Sequence, residues 1–182
     1  MDLQLNDKVI FVAGGSRGIG LGIVEACLNE GARLAITARG ADALGAVHRR
    51  LAGAFGEDRI WSMAGDMRDT VTIEKALDSV EREFGMIWGA VANVGLHPTP
   101  PGYDVDDATW GGAFAQNLDS AFRLARGTLK RMTPRKEGSF VFISSIAGLG
   151  AMSGSQAAGQ SQGYSQPPAG PGTSGLTSGM SH

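Results

Sequence analysis

Val9-Ile10-Phe11-Val12-Ala13-Gly14-Gly15-Ser16-Arg17-Gly18-Ile19-Gly20 is the stretch on which the reading of this chain turns. Its first five residues form a compact β-branched and aromatic run, which predicts a buried strand. Glycines end that run and a helical pattern starts at once. Ile19, Ile23 and Cys27 recur every four residues as an apolar stripe, and Gly31 stands where a helix would end. Small residues in such a loop let backbone amides approach a pyrophosphate, and the positive end of the next helix then faces it. Gly20 would also let that helix pack close to the strand. A tight turn with no ligand uses the same residues, but a strand before and a helix after favour nucleotide binding.

The alternation continues outward. Leu34-Ala35-Ile36-Thr37, Ile60-Trp61-Ser62-Met63, the run from Met86 to Ala92, and Ser139-Phe140-Val141-Phe142-Ile143 read as four more strands. Leu44, Val47, Leu51 and Phe55 stripe a second helix. Ile73, Ala76, Leu77, Val80 and Phe84 stripe a third, entered from Asp69-Thr70 as a cap. A loop with Pro98, Pro100 and Pro101 leads to Asp107 and a long helix over 108–132, whose Arg126, Lys130 and Arg131 suit the negative end of a helix dipole. Strand and helix in turn imply an α/β fold: a doubly wound parallel sheet of the Rossmann type, in the order 3-2-1-4-5. Ligands of such sheets sit beyond the carboxyl ends of the strands, near the switch in strand order.

Composition narrows the function classes. The 182 residues carry a net charge of −2, which argues against a nucleic-acid binder. No apolar run approaches the roughly 18 residues of a membrane span, so no membrane partner is expected. Met1-Asp2-Leu3-Gln4 lacks the cationic start and apolar stretch of a signal peptide. Cys27, the single cysteine, suits a reducing cytosol, so a cytoplasmic location is expected. His48, His97 and His182 are too scattered for a metal site. All 34 charged residues lie between Asp2 and Glu137, and 21 of the 32 residues from Ala151 to His182 are Gly, Ser, Gln or Pro. Such a stretch cannot bury enough apolar surface to offset its backbone entropy. The chain therefore divides into a dinucleotide-binding domain over 1–150 and a tail over 151–182 expected to be disordered.

The glycine spacing Gly14-x-x-x-Gly18-x-Gly20 resembles that of the short-chain dehydrogenase/reductase family, with Ala13 where the family usually has threonine. Four later segments extend the resemblance, which covers residues 5 to 150. Gly65-Asp66-Met67 follows strand three, where the family's aspartate meets the adenine amino group. Ala92-Asn93-Val94-Gly95 looks like the family's Asn-Asn-Ala-Gly, matching at Asn93 and Gly95. Asn117 matches the helix asparagine that holds a water in the proton relay, and Ile143-Ser144-Ser145-Ile146-Ala147-Gly148 resembles the segment of the catalytic serine, which points to Ser145. The resemblance implies a nicotinamide cofactor held by Gly14, Ser16, Arg17, Gly18, Ile19, Gly20, Arg39, Asp66, Met67, Asn93 and Gly95, with Ser145 and Asn117 as catalytic residues.

Strand two ends Thr37-Ala38-Arg39, with no acid before Asp42. A carboxylate there would grip a ribose 2′-hydroxyl, whereas Arg39, joined by Arg17, would attract a 2′-phosphate. NADP(H) is accordingly expected over NAD(H). A small-molecule carbonyl or alcohol is the implied substrate. A homo-oligomer is implied for the family, with assembly of this particular chain left open.

In the family's reaction, hydride passes between nicotinamide and the substrate carbon while a tyrosine, its pKa lowered by a lysine four residues on, supplies the proton. Counting about 13 residues from Ser145 reaches Ala158, and Gln162 stands where the lysine would be. Gln162 to Pro168 can be encoded so that deletion of one base yields Lys-Ala-Ile-Ala-Asn-Leu, a family-like helix. The tail then reads as an out-of-frame end, with the family's last strands lacking. Three expectations follow: an oxidoreductase of impaired turnover, a non-catalytic NADP(H)-binding module, or a non-functional product with an exposed sheet edge.

Overall fold

The computed structural model describes residues 3–95 and 104–145. The tail, Ala158 and Gln162 lie outside the described residues. Five strands, β1 (Val9–Ala13), β2 (Arg33–Ala38), β3 (Ile60–Ala64), β4 (Ile87–Ala92) and β5 (Ser139–Phe142), pair in parallel in the order β3-β2-β1-β4-β5. That is the Rossmann-type order expected from the alternation of elements.

Strand β1 is buried along its whole length, and its alternation divides the core. Val9, Phe11 and Ala13 face the helices α3 (Thr70–Glu83) and α5 (Ser120–Met132), where they meet Ile73, Leu77, Val80 and Leu124. Ile10 and Val12 face α1 (Gly18–Asn29) and α2 (Ala41–Phe55), where they meet Val24, Leu28, Leu44 and Leu51. Such two-sided cover is why β1 reads as an unbroken apolar run.

Helix α3 follows its expected stripe, and Asp69 caps it by accepting from the amides of Val71 and Thr72. Helix α1 does not follow its stripe. Its buried line is Gly20, Val24 and Leu28, while Ile19 is exposed and Ile23 and Cys27 are half-buried. Gly20 lies too close to the loop for a side chain, and the face it shares with Val24 and Leu28 turns inward.

The long fourth helix is interrupted. The segment α4 (Asp107–Phe114), capped by Asp106, passes into one π-helical turn over Ala115–Asp119 before α5 begins. The wide turn brings consecutive residues, Gln116 and Asn117, both into the interior. At the far end of α5 the expected dipole role is overlaid by a specific contact: Arg131, largely buried, reaches Glu74, Asp78 and Glu81 of α3.

Candidate active site

Helices α1 and α5 pack on opposite faces of the sheet, and a cleft of about 610 Å³ opens above the carboxyl ends of the strands. Its floor is tied together by backbone bonds. Gly14 and Gly15 donate to Thr37 O at 2.8 and 3.2 Å, Gly65 donates to Ala38 O at 2.9 Å, and Asn93 donates to Ala13 O at 3.3 Å. Gly14 adopts φ +78, a left-handed conformation that side chains disfavour. The Asn93 side-chain amide then donates to Gly14 O at 3.0 Å. A Cβ on Gly20 would stand 2.1 Å from that same oxygen and 2.4 Å from Asn93 Nδ2. The glycine loop is thus compressed between α1 and β4.

Helix α1 starts against this cleft without a side-chain cap at Arg17 and without an acid in its first turn. Its first amides are therefore available to an anion. Of the residues expected to bind cofactor, Gly14, Ser16, Arg17, Gly18, Ile19, Arg39, Asp66, Met67, Asn93 and Gly95 line the cleft, and Gly20 packs behind the loop. Arg17 and Arg39 are exposed.

Sequence reasoning missed two features. Gln116, buried in the π turn, lines the cleft and donates its side-chain amide to Gly95 O at 3.0 Å. Asp66 is held by Arg68: the guanidinium Nε lies 3.1 and 2.9 Å from its two oxygens, Nη2 lies 2.5 Å from one of them, and the Arg68 backbone amide adds a bond of 2.9 Å. Hydrogen bonding to Arg68 is the main cause holding the Asp66 carboxyl below its usual range. Only the proximity of the three residues in Asp66-Met67-Arg68 hinted at this pair.

Asn117 is buried beside Gln116, and Ser145 is exposed three residues past the end of β5. Among the described residues, no group of His, Cys, Asp and Glu could hold a metal, and no helix is long and apolar enough to cross a membrane. His48 instead spans Ser62 Oγ at 2.9 Å and Glu57 Oε1 at 3.2 Å.

Residues 8–160 match the profile of the short chain dehydrogenase family. The chain belongs to the short-chain dehydrogenase family. The chain is 34% identical over 149 residues to D-threitol dehydrogenase of Mycolicibacterium smegmatis, covering 80% of the chain and 55% of that protein. It is 31% identical over 151 residues to 2-(S)-hydroxypropyl-CoM dehydrogenase 3 of Xanthobacter autotrophicus, covering 82% and 58%. It is 33% identical over 163 residues to the NADP-dependent (R)-specific alcohol dehydrogenase of Lentilactobacillus kefiri, covering 85% and 63%. A solved short-chain type dehydrogenase/reductase from Mycobacterium ulcerans superposes with a TM-score of 0.81 at 26% identity, over 88% of this chain and 59% of that one. The chain thus spans little more than half the length of the curated relatives it matches.

Proposed function

We propose that the cleft binds NADP(H) and that the protein is an oxidoreductase acting on a small-molecule carbonyl or alcohol, with turnover by this chain impaired. The observation that carries the cofactor reading is the pairing of a compressed glycine loop at an uncapped helix start with two exposed arginines and no acid at the end of β2. Loop and helix amides suit a pyrophosphate, and the guanidinium groups of Arg17 and Arg39 suit a 2′-phosphate. NADP dependence in the Lentilactobacillus kefiri relative supports the same choice. Asp66 and Met67 would meet the adenine end, while Asn93 and Gly95 would border the nicotinamide.

The nicotinamide ring, when bound, supplies or accepts the hydride. Among this chain's residues, Ser145 would hold the substrate oxygen and Asn117 a water of the proton path. Gln116 would keep the Gly95 carbonyl in place. Ala158 and Gln162 stand where the family's tyrosine and lysine are expected, and neither can give or tune a proton at neutral pH. That substitution also favours the second reading, a binding module without catalysis. The single Cys27 suits a reducing compartment, and the cytoplasm is the proposed location.

Calorimetric titration with NADPH and NADH, followed by carbonyl-dependent NADPH oxidation over a substrate panel, tests both parts. Tighter NADPH binding with turnover far below about one per second is expected. Faster turnover, abolished by Ser145→Ala, would overturn the impairment. Equal affinity for the two cofactors would overturn the NADP(H) preference.

A further inference from the structure

We propose that Arg68 is a specificity-determining residue for the phosphorylated cofactor, because its two-pronged ion pair with Asp66 neutralises the one carboxylate that shares the cleft with Arg17 and Arg39. This rests on the NADP(H) reading and deepens it.

Among the described residues lining the cleft, Asp66 is the only acid, and Arg17 and Arg39 are the only bases. A bare carboxylate at Asp66 would act twice against a 2′-phosphate. It would repel the phosphate directly, and it would draw Arg39 away from it. Arg39 is within electrostatic reach: after the hydrogen bonds and charge of Arg68, the charge of Arg39 also holds the Asp66 carboxyl below its usual range. Arg68 answers both effects. Its Nε and Nη2 cover both carboxylate oxygens in the fork geometry that makes arginine pairs strong and directional.

The pair is also built into the backbone. The Arg68 amide donates to Asp66 Oδ1 at 2.9 Å, closing a turn around the carboxylate. From α5, Arg123 donates to the Arg68 carbonyl, and Asp119 lies 3.4 Å from the same Arg123 guanidinium. The loop after β3 is therefore pinned from a helix on one face of the sheet. Three N–H groups of Arg68 meet the carboxylate, with Nε–H shared between its two oxygens, which leaves about one of its roughly four lone-pair sites for an amino group. Retaining the acid under neutralisation keeps an acceptor for adenine without its charge opposing the phosphate.

The test uses adenosine 2′,5′-bisphosphate and adenosine 5′-monophosphate, which report the 2′-phosphate without needing the nicotinamide half or catalysis. Calorimetry on the full chain, at one ionic strength, gives the ratio of their dissociation constants. The unmodified chain should favour the bisphosphate. Arg68→Gln should cut that ratio by roughly five- to tenfold, a screened charge effect in a solvated cleft. Asp66→Asn combined with Arg68→Gln should restore the ratio to within about twofold, because the carboxylate to be neutralised is gone. An unchanged ratio in Arg68→Gln overturns the proposal. So does a double variant as poor as the single one, which would mean that Arg68 contacts the phosphate itself. Should Arg68→Gln fail to fold by circular dichroism, Asp66→Asn alone decides: a held or raised ratio supports the proposal and a lowered one overturns it. An unmodified chain with no preference overturns the cofactor reading, and this proposal with it, before any substitution is made.

Discussion

Asn93 donates its side-chain amide to the carbonyl oxygen of Gly14 at 3.0 Å, bridging the ends of β4 and β1 in a sheet whose helices α1 and α5 pack on opposite faces. A cleft lined by Gly14, Asn93 and Gly95 opens at that point. The Asn93 bond ties the glycine loop to β4, and a side chain at Gly20 would meet the same oxygen. Loop shape therefore depends on three backbone segments at once.

Gly20→Ala should destabilise the fold and weaken NADPH binding. The added methyl would overlap the Gly14 oxygen and the Asn93 amide, neither of which is a free side-chain end. A loss of roughly 1–3 kcal/mol is expected for such overpacking. Gly22→Ala, two residues on in the same helix, meets open space and should gain up to about 1 kcal/mol. Urea denaturation of both variants, with an NADPH titration, reads the contrast.

Arg39→Asp should reverse the cofactor preference. The charge facing the 2′-phosphate changes sign, while an acceptor for a ribose hydroxyl is gained. The ratio of NADPH to NADH dissociation constants should shift by roughly tenfold or more. Titration of both cofactors against the variant measures it.

Arg131→Met should loosen α5 from α3 without touching cofactor choice. Arg131 has 16% of its side chain exposed and lies 3.0 Å from Glu74 and 3.4 Å from Glu81, with Asp78 also in contact. Losing it leaves Glu74 and Asp78 side by side without their shared cation, whereas Glu81 keeps Arg135 at 3.3 Å. The expected cost is roughly 1–3 kcal/mol, between exposed and buried pairs. Lys130→Met, on the exposed side of the same turn, should be near neutral. Denaturant midpoints compare the two.

Asp69 should make α3 acid-sensitive. Hydrogen bonds from the Thr72 hydroxyl and amide, with a further one from Val71, hold its carboxyl below the usual range. The folded pKa is lower than the unfolded one, so the stabilisation is complete above the unfolded value of about 3.9 and fades as pH falls through the folded value. Asp69→Asn keeps a capping oxygen that does not titrate. The stability gap between the two proteins should be open at pH 7 and narrow at pH 3, as read by urea midpoints at each pH.

Much of the frame was legible from residue pattern alone. The unbroken run Val9–Ala13 reports a strand covered on both faces, and the Ile73, Ala76, Leu77, Val80 stripe reports one helix face against the core. Each follows from burial along a single element, which repeats with the period of that element. The glycine loop was legible for a related reason, since close backbone approach leaves a mark in residue type. Where contact between distant segments decides, the pattern fell short. Helix α1 is turned one residue from its apparent stripe, with Gly20 too close to the Gly14 carbonyl for a side chain. The π turn that carries Gln116 to Gly95 leaves no periodic trace, since the ladder widens at only one point. Asp66 stood out in the sequence after the third strand, yet its ion pair with Arg68 did not, because the loop after β3 is pinned by Arg123 from 55 residues away. Periodicity records which side of an element is dry; the pairing of charges and the rotation of a helix depend on what stands opposite, which only the packed chain supplies.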